Sequence, residues 1–286
     1  MPPGMGNWLA YAFLNRWDSY YNDGWCQKLS TQLHEVGHNL GLEHSGDESN
    51  IEYGDETGMM GYSYFEDDTP EMCFNPAKNW QLQWYPDKQL ELNPLTDLRS
   101  TPTSYVLNGI VDYENAADNH FVVLRLQDFY MGFNRKSDFN IGTREAPDMV
   151  TIQKKTGQPL ERGKSKKVAQ LVENQSYIME LEYANSDETL QVLIKYARNE
   201  NGKDAVIELS KFDDSVELVC DADLVVELVT DKWPLETSWS IMDTFGDIVF
   251  TKADYTELYN TVQSPIPGLC RGTTYTFEIV DSYGGE

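Results

Sequence analysis

Basic residues are scarce: 22 Lys and Arg stand against 47 Asp and Glu, a formal net charge of -25 with histidine neutral. This excludes nucleic acid as a partner, because binding phosphate depends on clustered Lys and Arg. The same charge favours solubility and repels anionic membranes. Long apolar runs are also missing, and none approaches the roughly 18 residues that a membrane-crossing helix takes. The opening MPPGMGNWL has neither the basic start nor the apolar stretch of a secretory signal. Cysteine is limited to Cys26, Cys73, Cys220 and Cys270, far apart and with no C-x-x-C, which removes cysteine from any metal site. What remains, 40% hydrophobic and 12% aromatic residues, suffices for packed cores, and the length suggests two or three domains.

Histidine is as scarce as cysteine, with four in 286, yet three of the four fall in HEVGHNLGLEH, residues 34 to 44. On a helix, residues four apart share a face, so His34 and His38 can bind one metal ion together. Gly41 tolerates the left-handed backbone that ends a helix and turns the chain, which brings His44 back as a third ligand. Three neutral imidazoles with one position left open describe a catalytic Zn2+ site, since a structural site closes all four positions with protein ligands. Glu35, beside His34 and not itself a ligand, is placed to take a proton from water on the metal and pass it to a leaving amine.

H-E-x-x-H-x-x-G-x-x-H, followed by Met60-Gly61-Tyr62 in GMMGYS, resembles the metzincin signature. That resemblance implies that Met60 supports the metal from below and that Tyr62 assists as a movable ligand or oxyanion donor. HEVGHNLGLEHSG, EYGD, MMGYS and CFNPAKNWQLQWY together resemble the gametolysin family closely over residues 6 to 85. The likeness continues more loosely through GIVDY and GFNRKSDFNIGTREAPDMVTI. It implies a secreted zinc metalloendopeptidase acting on protein or glycoprotein substrates of extracellular matrix or cell wall. Metzincin catalytic domains place on the order of a hundred residues before the zinc helix, and here 33 precede His34. The expectation is therefore an N-terminally truncated form whose signal peptide lies in the lost portion. In the family, the strand matching GNWLAYAFLN pairs with substrate backbone.

The expected fold class is α+β: a partial metzincin-type zincin domain over residues 1–92, then two all-β sandwich-like modules over 93–203 and 204–286. Short segments such as HFVVLRLQDFYMGF, QSYIMELEY and TLQVLIKYA, separated by polar turns, carry the β reading. The last module, with WPLETSWSIMDTFGDIV and YTFEIVDSYGG, resembles a small β-sandwich found at the C-termini of secreted enzymes. The zinc helix is expected to begin with Ser30 as N-cap. A second helix is expected from Asn75-Pro76, with Ala77, Trp80 and Trp84 on one face.

Two disulfides are expected, with Cys26 to Cys73 and Cys220 to Cys270 favoured among three connectivities and reduced thiols as the alternative. The acidic loop from Ser45 to Thr57 has oxygen ligands that suit calcium, but no EF-hand spacing, and reads as a solvated loop. KKTGQPLERGKSKK, residues 154 to 167, reads as a basic hairpin tip in solvent, with anionic polysaccharide as the weaker reading. The sequon Asn174-Gln175-Ser176 fits a secreted protein weakly. His120 reads as structural. The alternative function is a secreted binding or adhesion protein whose β modules do the work and whose protease segment is an inactive remnant.

Overall fold

A computed structural model describes residues 8–61, 71–182, 189–212, 222–243, 248–269 and 275–282. Tyr62, Cys220 and Cys270 lie outside the described residues.

The chain opens with a short antiparallel ribbon, β1 (Ala10–Ala12) on β2 (Ser19–Tyr21), and continues into α1 (Leu29–Asn39). Lys28, not Ser30, occupies the N-cap of α1; Ser30 is buried in the first turn. β3 (Ser45–Asp47) and α2 (Pro76–Leu82) complete the metal segment. α2 begins as its sequence demands. Asn75 accepts a hydrogen bond from Lys78 N at 3.0 Å, and Pro76 takes the first helical position, where a missing N–H costs nothing. Gln83 is left-handed and ends the helix, so Trp84 falls off the face that Ala77 and Trp80 bury and is half exposed.

Next come β4 (Gln89–Leu92), β5 (Thr103–Asn108), β6 (His120–Phe121), β7 (Val123–Leu126), β8 (Phe129–Phe133), β9 (Val150–Lys155) and β10 (Ser165–Leu171). β11 (Ser176–Glu182), β12 (Thr189–Glu200) and β13 (Asp204–Lys211) follow. They form two sheets, ordered β3-β10-β9-β8-β7-β4 and β11-β12-β13-β5-β6. One hydrophobic cluster draws on both, with Leu124, Phe129, Met131 and Ile152 from the first sheet and Val192, Ile194, Ile207 and Leu209 from the second. β12 buries every second residue, Val192, Ile194 and Tyr196, as a strand with one covered face should. β8 is buried throughout, because its other face carries α2. There Tyr130 meets Trp80 edge-on at 6.0 Å, and a side chain at Gly132 would strike the Pro76 ring.

The boundaries expected at 92/93 and 203/204 do not coincide with breaks in the structure. β3 and β4, from before residue 93, are the two edges of the six-stranded sheet, and 203/204 lies in the tight hairpin between β12 and β13. Hydrophobic alternation marks strands but carries no information about which strands share a sheet. A separate core does appear later, from β14 (Ala222–Val229), β15 (Thr237–Met242), β16 (Ile248–Lys252), β17 (Thr261–Leu269) and β18 (Thr276–Asp281). Here Trp239, Ile241, Tyr255 and Ile266 are buried together.

The expected Cys26 to Cys73 bridge is corrected: both are free thiols. Cys26 is exposed in a 3-10 turn, where its sulfur lies 3.8 Å from Asp23 O, while burial pushes the Cys73 thiol up to about 12. An even cysteine count constrains parity, not distance.

Candidate metal centre

α1 ends in a Schellman turn. Leu42 N donates to Gly37 O and Gly41 N to His38 O, both at 2.9 Å, with Gly41 at φ +87°. The turn sends the chain back across the helix and brings His44 to His34 and His38. The imidazole ligand atoms of these three lie within 4.8 Å of one another. Among the described residues they are the group able to hold a metal ion.

The Nδ1 atom of each ring has a partner. His34 Nδ1 lies 2.8 Å from Met59 O, His38 Nδ1 2.7 Å from Leu42 O, and His44 Nδ1 3.0 Å from Glu52 Oε1. Carbonyl and carboxylate oxygens only accept, so each Nδ1 donates its proton and each Nε2 keeps its lone pair. His38 Nε2 and His44 Nε2 face each other at 3.1 Å. Two acceptors that close repel unless a cation joins them. Two nitrogens on one tetrahedral zinc ion, each bonded at about 2.0–2.1 Å, stand roughly 3.3 Å apart. The donor set thus fits zinc. Burial lowers the pKa of all three imidazoles, His34 to about 3, and keeps them in the neutral form that binds metal.

Glu35 is buried, and its Oε2 has no hydrogen-bond partner among the described residues. Desolvation raises its carboxyl to about 7. Met60 is buried beneath α1, so close that a methyl at Gly37 would overlap its sulfur. Its carbonyl accepts from Ser45 N at 2.8 Å. Ser45 in turn belongs to a buried network. Its hydroxyl donates to Asp55 Oδ2 at 2.8 Å, Ser165 Oγ lies 2.8 Å away, and Asn75 Nδ2 also donates to Asp55 Oδ2 at 2.8 Å. The Asp55 carboxylate thus ties β3 to the start of α2, and the Ser45 hydroxyl extends the network to β10.

Five residues about the site are not signalled by the sequence. Glu52, in the loop read as solvated, holds His44 and is itself held by Lys164 Nζ at 2.9 Å. Those two bonds depress its carboxyl to about 2. Asp47 Oδ1 accepts from Ile51 N at 3.0 Å and folds the loop back, a turn that an Asp makes legible only in hindsight. The Tyr53 ring packs 4.3 Å from His44 and 6.0 Å from His34. Arg162 and Lys164, more than a hundred residues from the histidines in sequence, line the same cleft. No local pattern signals such a long-range approach. His120 belongs to no metal group among the described residues; it sits 3.6 Å from Asp204.

The cleft has a volume of about 770 Å³. Trp8 and β1, with Tyr11 at its centre, form part of its wall, and His34, Glu35, His38 and His44 also line it. No helix among the described residues is long and apolar enough to cross a membrane. No curated protein and no solved structure matches the chain. Residues 1–139 match the family model described as gametolysin peptidase M11, which supports a metallopeptidase assignment for the segment that holds His34, His38 and His44.

Proposed function

We propose that the chain is a zinc metalloendopeptidase with His34, His38 and His44 as ligands and Glu35 as general base. The observation that carries this reading is the convergence of three imidazoles, their Nδ1 protons all committed, beside a buried carboxylate with an unpartnered oxygen. Zinc bound there supplies Lewis acidity and brings water's pKa down to about 7.

Glu35 then has a defined task. A carboxyl whose pKa burial holds at about 7 can accept a proton near neutral pH and return it to a departing amine. Met60 fills the space under α1 and fixes the helix that presents His34 and His38. Tyr62, two residues on, is the proposed oxyanion donor. Among the described residues β1 has one strand partner, β2, and it lines the cleft, which suits pairing of its other edge with an extended peptide backbone. Secretion, and matrix or wall glycoproteins as substrates, are part of this proposal on the strength of the gametolysin resemblance.

Glu35→Gln is the test. The variant is expected to keep full zinc stoichiometry while chelator-sensitive hydrolysis of mixed peptides falls by about two to four orders of magnitude. Retained turnover would remove Glu35 from the mechanism.

A further inference from the structure

The basic stretch KKTGQPLERGKSKK is the exposed hairpin tip expected from its sequence, and it also contributes Arg162 and Lys164 to the cleft wall. β9 and β10 carry it, and two lysines hold its turn from beneath. Lys155 Nζ donates to the carbonyls of Thr156, Gln158 and Glu161 at 3.3, 2.8 and 2.7 Å. Lys78 Nζ, on α2 and fully buried, donates to Gly163 O at 2.9 Å. Arg162 thus stands between two residues whose carbonyls are both anchored.

Of the charged residues lining the cleft, Glu35, Glu43, Glu52, Arg162 and Lys164, Arg162 is the cation left without an ion pair among the described residues. Lys164 is committed to Glu52. Glu43 lends its charge to buried Lys78 together with Asp55, and to buried Lys155 together with Glu161. Glu35 is buried. Arg162 is exposed, lines the cleft, and makes no side-chain hydrogen bond or ion pair with any described residue. It also sits in a positive island, since residues 154–167 hold six of the chain's 22 basic residues and one acid, Glu161. At physiological salt, charges beyond about 8 Å are screened, so the cations of this stretch and the carboxylates of the cleft itself, not the overall charge, set the field at Arg162. A guanidinium offers a planar fork suited to a carboxylate, and an anchored turn lowers the ordering cost of using it.

We propose that Arg162 is a specificity-determining residue that selects substrates presenting a carboxylate to the cleft, from an Asp or Glu side chain or from a free C-terminus. This rests on the metallopeptidase reading above. It places part of the selectivity in a hairpin beyond residue 139, where the family match ends.

The test measures equilibrium binding to zinc-loaded Glu35→Gln, which does not consume its ligand. Three matched fluorescent peptides are compared: end-blocked with a central Glu, end-blocked with Gln in its place, and the Gln peptide with a free C-terminus. At least one carboxylate-bearing peptide is expected to bind about five- to tenfold tighter than the blocked Gln peptide. That margin should shrink as salt rises and disappear when Arg162→Gln is added, while Arg162→Lys keeps part of it. Which peptide gains identifies the source of the carboxylate. Equal affinity for all three, no binding of any, or a preference that survives Arg162→Gln overturns the assignment. Hydrolysis of the blocked Gln peptide by the unsubstituted chain is followed in parallel. Its absence counts against the peptidase reading alone, because the carboxylate preference is read from binding.

Discussion

Gly41 decides where the third imidazole goes. Its φ of +87° is costly for any residue with a Cβ, and a methyl there would also run into the Asn15 side chain. Gly41→Ala should cost about 1–2 kcal/mol, measurable by denaturant unfolding. Metal affinity should fall with it as His44 is displaced; unchanged affinity would show that the turn does not set the ligand. Glu52 works on the same ligand from outside. Glu52→Ala leaves the His44 Nδ1 proton without its acceptor, and competitive metal titration should show affinity down by about tenfold. The histidines, Glu35 and Gly41 were legible because their geometry is written within eleven consecutive residues. Glu52, Tyr53, Arg162 and Lys164 were not, because they arrive through a loop closure and a long-range pairing that leave no periodic trace.

Among the elements, α2 starts where Asn75-Pro76 places it but stops short of Trp84, and nothing in its sequence signals that its lysine is buried. Sequence shows Lys78 as a cation; the fold buries it completely and lowers its pKa from 10.5 to about 7. Between those values the unfolded chain holds a proton that the folded chain has released. Folding stability should therefore rise with pH across that window through this group, by at most about 1.4 kcal/mol per unit. Lys78→Met removes the contribution, so wild type minus variant stability should climb between pH 7 and pH 10. A flat difference would mean that Lys78 is protonated in both states. The hairpin between β9 and β10 was equally visible as a hairpin and invisible as a cleft wall, since a run of charges is compatible with solvent or with a site.

For the whole molecule, strands were visible as strands, and their grouping was not. Ending the chain at residue 212 removes β14 through β18, which have a core of their own, and should leave zinc stoichiometry intact. Ending it at residue 139 removes β9 through β13, with Ile152, Val192, Ile194 and Ile207 from the main core and Ser165 from the network behind β3. That shorter chain should neither unfold cooperatively nor bind zinc. Calorimetry and metal analysis of the two truncations check both statements, and zinc binding by the shorter one would show that the metal segment folds alone.

The parallel pairing of Ser45–Asp47 with Ser165–Lys167 has a consequence for biosynthesis. The loop just after His44 completes its docking only on a partner strand synthesised some 120 residues later. A nascent chain stalled before that strand leaves the ribosome therefore presents its histidines on an unbraced loop. Acquisition of the ion should accordingly be a late event in translation, timed by the appearance of the tenth strand.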